Sequence, residues 1–280
     1  MKIEVTSTLI KDHELKYTTE LISVLKDFAD EVWLDCDCDV TIDGVNMGVC
    51  SCPDMMIVLG GDGSIMRAAR RGAVIGVPIL GIDLGRVGYL AELSPDDRDG
   101  LNAVLSGEYY IEKRALLEVS TVKNGYETGN TFVAINDAVL SHGSVSRLLE
   151  TEVLCDGSSL GRYRSDGFIV ATPTGSTAYS LSAGGPVLSP KLKGICLTPI
   201  CPHSLTARPI IVPDDSHIEI KYISPLSSSH LTVDGNEADM LNCGDSVTIR
   251  RSSVSADFIR LNKNRDISFY DILREKMSDI

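Results

Sequence analysis

No apolar run in the sequence approaches the ~20 residues that cross a bilayer as a helix. The opening stretch MKIEVTSTLIKDHE lacks the long apolar core of a signal peptide, so a cytoplasmic protein is the expectation. Cysteine is sparse: eight in 280 residues are too dilute for a disulfide scaffold, and a cytoplasmic setting keeps them reduced. Basic residues are outnumbered, 26 Lys and Arg against 39 Asp and Glu, for a formal charge of −13. That balance argues against a nucleic acid or an anionic membrane as partner, whose phosphates need a basic surface. A small phosphorylated ligand stays open, because backbone amides, a few arginines and a divalent cation neutralise one locally. There is also no internal repeat and no low-complexity linker. His142, His203 and His217 have no metal-like spacing and no Ser or Cys nucleophile motif beside them.

The cysteines do include two C-x-C pairs, Cys36 with Cys38 and Cys50 with Cys52. Alternate positions of a strand share a face, which gives the pairs the reach to converge on zinc, but structural zinc sites more often use wider gaps. Small residues in strands or turns are the better reading.

What is present is enough chain for one large domain or two medium ones, at 43% hydrophobic residues. The first hundred residues alternate strand and helix. Lys2–Ser7 reads as a strand, residues 15–28 as an amphipathic helix, 32–34 and Met55–Leu59 as strands, Ser64–Arg71 as a helix and Val77–Ile82 as a strand. This is a parallel α/β pattern of Rossmann-like type. From about Tyr110 short alternating strands take over: Leu116–Val122, Phe132–Ile135, Leu148–Leu154, Gly167–Ala171, Ile218–Ile223, His230–Val233 and Ser246–Arg250, with Asn124-Gly125 as a hairpin turn. A last helix is expected over Phe269–Met277. The expected domains are 1–105, with 260–280 packing back on it, and a β-rich 106–259.

The stretch DMMIVLGGDGSIMRAAR, Asp54 to Arg70, runs a buried strand into glycines and straight on into a helix. Backbone N–H groups at that helix N-terminus lack partners, and Gly60, Gly61 and Gly63 let phosphate oxygens approach them. No Gly-Lys-Ser/Thr follows, so this is not a Walker loop, and an anion, Asp62, stands where a cation is usual. Asp62 either takes a proton from an attacking hydroxyl, orients that hydroxyl or holds a magnesium ion, or it merely caps the helix. Arg67 either reaches along the helix to phosphate or is a plain surface arginine.

GGDG is followed by GIDLGRVGYLAEL at Gly81–Leu93, ND at Asn136-Asp137, YRSDGFIVATPTGSTAYSLSAGGP at Tyr163–Pro186 and VDGNE at Val233–Glu237. In order and spacing this set resembles the NAD kinase family over nearly the whole chain. GGDG also occurs in lipid, sphingosine and phosphofructokinases, whereas TPTGSTAYSLSAGGP is far more specific. The resemblance implies an α/β N-terminal domain, a C-terminal β-sandwich and an active site in the cleft between them. It implies phosphorylation of the 2′-hydroxyl of the adenosine ribose of NAD, with ATP or polyphosphate as donor, a divalent metal, expected to be Mg²⁺, and a homodimer or homotetramer.

Carried over by position, Asp62 matches the catalytic acid, with Gly63 beside it in the dinucleotide site. Asn136 and Asp137 match an Asn-acidic pair at ribose and phosphate, with Asp137 replacing a commoner Glu and Ser64 a commoner Thr or Asn. Arg147, Arg164 and Asp166 fall where the family contacts NAD, Asp166 at the nicotinamide amide. Thr174 and the run Thr177, Ala178, Tyr179, Ser180, Leu181 and Ser182 wall adenine and nicotinamide. Cys201 and Asn236 match two further binding positions, the former often supplied across a subunit interface. The residue types suit dinucleotide binding, since hydroxyls and amides read base edges and ribose, and Tyr179 offers a ring face. Read alone, Thr172–Gly175 is equally an ordinary strand-ending turn and Tyr179 a core tyrosine. Two other functions share parts of the pattern. A lipid or sugar kinase would reuse the loop, and a non-catalytic NAD(P)-sensing module would need no Asp62.

Overall fold

In the computed structural model, the first strand, β1 (Lys2–Ser7), alternates its side chains between two unlike faces. The structure describes residues 1–8, 11–36, 40–85, 88–142, 148–224, 228–261 and 269–278. After β1 come α1 (Lys16–Leu25), β2 (Glu31–Cys36), a short β3 (Asn46–Met47), β4 (Met55–Gly60), α2 (Asp62–Ile75), β5 (Ile79–Asp83) and α3 (Arg98–Leu105). The strands are parallel in the order β3-β2-β1-β4-β5, as the alternation predicts. β4, MMIVLG, is apolar and buried throughout because helices or chain cover both of its faces.

Ile3 and Val5 face the core shared with Leu21, Ile22 and Leu25 of α1 and with Leu101 and Val104 of α3. Glu4 faces the other way, fully buried, and its carboxylate meets Arg71 of α2 in a two-pronged ion pair. The same carboxylate accepts the Cys50 amide at 2.8 Å, and Arg71 donates to the Cys50 carbonyl at 2.9 Å. α2 lies close over β5 because glycines make room: a Cβ on Gly81 would stand 2.7 Å from Ile65 Cδ1, and one on Gly72 2.9 Å from Ile79 Cδ1. Gly76, at φ +71°, ends α2 in the left-handed conformation that favours glycine. α2 is longer at both ends than the sequence suggests. The next strand starts late, at Ile79, because the Val77 amide still bonds back to Gly72 and Pro78 has none to give.

The remaining strands are β6 (Tyr109–Lys123), β7 (Tyr126–Ala134), β8 (Asp137–His142), β9 (Leu149–Cys155), β10 (Ser158–Ser165), β11 (Gly167–Ala171), β12 (Gly194–Ile200), β13 (Ile210–Pro213), β14 (Ile218–Tyr222), β15 (Ser229–Val233), β16 (Asn236–Leu241) and β17 (Ser246–Leu261). A one-turn helix, α4 (Tyr179–Ser182), precedes β12, and α5 (Phe269–Ser278) follows β17. β6 and β7 meet at Asn124 (φ 53°) and Gly125 (φ 82°), the type I′ turn that Asn-Gly announces. One antiparallel sheet has the order β13-β12-β11-β8-β15-β16. Its Leu140, Phe168, Leu197 and Leu231 share a core with Val153, Ile220, Val247 and Leu117 of the other strands, so the two layers form a sandwich. By contacts the chain divides into Met1–Lys113 with Ala256–Ile280, and Arg114–Ser255. In the first of these units Phe258 of β17 adds alongside Ile79 of β5, in parallel.

Six strands, β3, β8, β10, β12, β13 and β16, and the helix α3 are not evident in the sequence. β10, β13 and β16 are sheet edges with weak patterns, and β12, GICLTPI, is buried throughout while carrying a glycine and a proline. No described helix is long and apolar enough to cross a membrane.

The Glu4–Arg71 pair sets a stability prediction. Arg71→Leu leaves Glu4 buried without its cation and is expected to cost about 3–5 kcal/mol in urea unfolding. Glu4→Leu combined with Arg71→Leu is expected to recover most of that loss, since an apolar pair needs no counter-charge. A double variant as unstable as the single one would show that the pair acts otherwise.

Candidate active site

The connections from β1 and from β4 leave in opposite directions across the sheet, so the strand order reverses between these neighbours. In open parallel sheets a ligand binds beyond the C-terminal ends of the strands at such a point. Gly60 closes β4 there, Gly61 is the extended N-cap and Asp62 is the first residue of α2. A plain capping role for Asp62 is therefore overturned. Its carboxylate turns away from the helix and accepts the Tyr89 amide at 3.0 Å on Oδ2 and the Leu90 amide at 3.1 Å on Oδ1. Gly88 must lack a side chain, because a Cβ would lie 2.6 Å from Asp62 Cγ. Gly63 faces open space, with nothing within 4 Å of a Cβ position.

The loop carrying those two amides is held from behind by Arg260. Its guanidinium donates to the carbonyls of Leu90 (3.1 Å) and Ala91 (3.2 Å) and to Glu92 (3.0 Å) and Glu112 (2.8 Å). Burial works against the charge of Arg260, yet its pKa lies above the ordinary arginine value because Glu112 and Glu92 outweigh that effect. A cation absent from the GGDG motif itself arrives from elsewhere: the Lys11 ammonium stands over Gly61, 3.9 Å from Asp83 Oδ1. Arg67, exposed on α2, donates to Ser64 Oγ at 3.4 Å.

In the second unit, three motifs distant in sequence converge on the corner before β8. Asp234 and Gly235, at φ 47° and 75°, form the tight turn from β15 to β16. The Asp234 carboxylate accepts three successive amides, Ile135 (2.9 Å), Asn136 (2.7 Å) and Asp137 (3.1 Å). Thr172 grips the opposite edge, donating its hydroxyl to the Ile135 carbonyl at 2.5 Å and its amide to the Asn136 carbonyl at 2.8 Å. A Cβ on Gly175 would collide with the Asn136 backbone, so the TPTG turn packs on the corner only with glycine there. It is not an ordinary turn.

After that turn, Thr177 and Ala178 are half-buried and Tyr179 is 48% exposed, which excludes a core tyrosine. Leu181 and Ser182 are exposed, while the Ser180 hydroxyl turns inward to Thr198 Oγ1 at 3.0 Å. Thr174 is buried and accepts from the guanidinium of Arg114, itself buried, at 3.3 Å. Arg164 pairs with Glu150 across β10 and β9 at 3.1 Å, both exposed. The Asp166 amide bonds to Ile200, next to exposed Cys201, whose φ of 45° is unusual for a side-chain-bearing residue. Asn236 donates to the Asp234 carbonyl at 3.1 Å. Arg147 and Cys38 lie outside the described residues. Among the described residues no three His, Cys, Asp or Glu side chains converge as a metal site. Lys11, Arg114, Asp234 and Arg260 were not singled out by the sequence, although Asp234 lies within VDGNE, and Thr172 was noted only as the start of a turn.

The buried Asp137 carboxyl is pushed up to about 7, by burial first and then by Asp234.

These features, a glycine-cradled carboxylate at the switch point of a parallel sheet and a separate hydroxyl- and amide-lined corner on a β-sandwich, suit the class of phosphotransferases with an alcohol acceptor. Comparison with known proteins makes it particular. Residues 6–109 match the model of the ATP-NAD kinase N-terminal domain and residues 135–261 that of the ATP-NAD kinase C-terminal domain. An NAD kinase of Carboxydothermus hydrogenoformans is 47% identical over 227 residues, 81% of this chain and 80% of the relative. One of Caldanaerobacter subterraneus is 37% identical over 99% of both chains. The chain belongs to the NAD kinase family. Among solved structures, yeast NADH kinase complexed with NADH has a TM-score of 0.84 at 27% identity, covering 98% of this chain and 87% of that one. An NAD kinase from Archaeoglobus fulgidus in complex with ATP has a TM-score of 0.72 at 26% identity, covering 99% of both.

The position of Asp137 makes stability depend on pH. Unfolded, the carboxyl ionises near 4, and folded near 7. Its contribution is fully present below pH 4 and is lost as pH rises to 7, by at most about 4 kcal/mol. Asp137→Asn removes this dependence, so the Tm of the variant relative to the parent is expected to rise between pH 5 and pH 8. Parallel Tm curves over that range would contradict the assignment.

Proposed function

We propose that this chain transfers the γ-phosphoryl group of ATP to the 2′-hydroxyl of the adenosine ribose of NAD, giving NADP. The observation that carries this reading is Asp62, fixed by two amides beside the open N-terminus of α2. Each of its oxygens accepts one amide and keeps lone-pair capacity for a hydroxyl. As the ribose oxygen attacks phosphorus and the bond to the ADP oxygen breaks, the hydroxyl proton passes to Asp62.

The transition state of such a transfer is loose, so alignment and charge stabilisation supply most of the rate. Backbone N–H groups at Gly61–Gly63 face the phosphates, and Lys11 and Arg67 add positive charge in an otherwise acidic protein. Mg²⁺ is read as part of the donor, offsetting charge on the phosphates of ATP, because ions of this type bind mainly through substrate phosphates and water. Asn136 supplies amide contacts to ribose, and Asp137, titrating near 7, both donates and accepts hydrogen bonds there. Arg147, Arg164, Asp166, Thr174, Thr177 and Asn236 serve the rest of the dinucleotide. Tyr179, exposed on α4, offers its ring to a base. Cys201, also exposed, is offered to a second copy in a homodimer or homotetramer.

Asp62→Asn is expected to fold normally and lose ~10²–10⁴-fold in turnover when NADP formation is followed with NAD, ATP and Mg²⁺. Near-normal turnover would return Asp62 to a structural role. Tyr179→Ala is expected to weaken NAD binding by ~1–3 kcal/mol in calorimetry with no change in thermal stability. Unchanged affinity would remove the ring from the acceptor site.

A further inference from the structure

The two faces of β12 do different work. Ile195 and Leu197 enter the core of the sandwich, while Cys196 and Ile200 face the other way, into a small separate core with Ile169 and Leu188. Thr198 lies between Cys196 and Ile200 on that second face, fully buried. A hydroxyl buried among apolar side chains needs a partner to replace the water it has lost. Its partner is the Ser180 hydroxyl, equally buried, at 3.0 Å, and Cys196 Sγ stands 3.4 Å from Thr198 Oγ1. The chain after α4 closes over the pair: a Cβ on Gly185 would collide with Ser180 Oγ and stand 2.9 Å from Thr198 Oγ1.

α4 is a single turn, too short to hold its place by its own backbone bonds. Just before it, Ser176 Oγ donates to the Pro173 carbonyl at 2.6 Å and accepts the Leu188 amide at 2.9 Å, which pins the start of the segment. Within the turn, Ser180 is the one buried residue, and its hydroxyl is the polar tie to the sheet. Tyr179 lies one position earlier, about 100° round the helix, and points half into solvent. The backbone of the turn therefore decides where that ring stands. An apolar residue at 198 would fill the same space, but apolar contact is non-directional, whereas a hydrogen bond fixes a distance and an angle.

We infer that Thr198 is a positioning residue of the acceptor site: through the Ser180 hydroxyl it sets the place of α4 and, with it, of the Tyr179 ring. The inference rests on the reading of Tyr179 as the ring offered to a base of NAD, and deepens it by naming what holds the ring. Ser180, carried over by position as a dinucleotide contact, acts from beneath instead.

The test is calorimetric titration of the full chain with NAD and with Mg–ATP, together with steady-state NADP formation, in the parent, Thr198→Val, Thr198→Ser, Tyr179→Ala and the double variant of Thr198→Val with Tyr179→Ala. Thr198→Val keeps the shape and removes only the hydroxyl. The expected result is an NAD Kd and KM about 5–20-fold weaker in Thr198→Val, with kcat and the ATP Kd within about twofold of the parent. Thr198→Ser restores the hydroxyl and most of the affinity. On top of Tyr179→Ala, Thr198→Val is expected to cost less than about twofold, because the ring it positions is gone. Unchanged NAD affinity in Thr198→Val overturns the inference. So does a loss equally large with and without the Tyr179 ring, or one shared by NAD and ATP, which is what general loosening gives. If Thr198→Val does not fold, Ser180→Ala replaces it in the same cycle, and failure of both to fold overturns the inference too, since the pair then holds the fold and not the ring. No effect of Tyr179→Ala alone removes the ring from the acceptor site and the inference with it. The expected NAD pattern without NADP formation leaves the inference standing and removes the kinase reading.

Discussion

The carboxylate of Asp234, closed on three successive amides, is the constraint on which the second unit's corner before β8 depends. Three N–H groups pointing the same way at the start of β8 require one acceptor with several lone pairs, and a neutral side chain offers fewer. The grip leaves the carbonyl edge of the same segment to Thr172. The same device recurs. Asp62 holds two amides of the 88–90 loop, Asp12 holds those of Tyr17 and Thr18 at the start of α1, and Asp245 takes those of Asn124 and Asn242. A chain with a formal charge of −13 cannot give each carboxylate a cation. Backbone amides absorb part of the excess, and hydrogen bonds to a charged acceptor are worth roughly twice neutral ones.

Around Asp62 the support comes from two directions. Arg260 fixes the carbonyls of Leu90 and Ala91, in the two peptide units that directly follow those whose amides face Asp62. The Tyr89 ring lies 5.9 Å from that of Phe269 on α5 and carries the Lys276 ammonium 5.4 Å from its centroid. A buried arginine is costly to desolvate, and Glu92 and Glu112 offset that cost only as a complete set. The first unit thus commits a buried arginine and two carboxylates to orienting a loop that itself has little regular structure.

The strand-loop-helix of residues 54–75 was legible because it is local: an apolar run, glycines and helical spacing adjoin in sequence. The Asn124-Gly125 hairpin was legible for the same reason. The TPTGSTAYS run was recognised as a motif, but nothing in its spacing says that Gly175 is required by the backbone of Asn136, far earlier in the chain. Asp234, Thr172, Lys11 and Arg260 act on chain far from them in sequence, and no period or turn signal marks such contacts. The contact of the Ser180 hydroxyl with Thr198 Oγ1 on β12, at 3.0 Å, likewise has no local signal. Edge strands such as β10, SSLGRYRS, are half in solvent and need no apolar alternation to persist.

Asp137 and Asp234 show how two neighbouring carboxyls come to differ. Both are buried, and the Asp137 carboxyl is pushed up to about 7 by its burial first and by the Asp234 charge second. Asp234 is committed to three N–H donors, and among the described residues Asp137 has no comparable set of donors. A carboxyl poised near 7 offers an O–H as well as an oxygen, so it both donates and accepts hydrogen bonds. The pairing that stabilises the corner thereby also sets the hydrogen-bonding character of the side chain it displays.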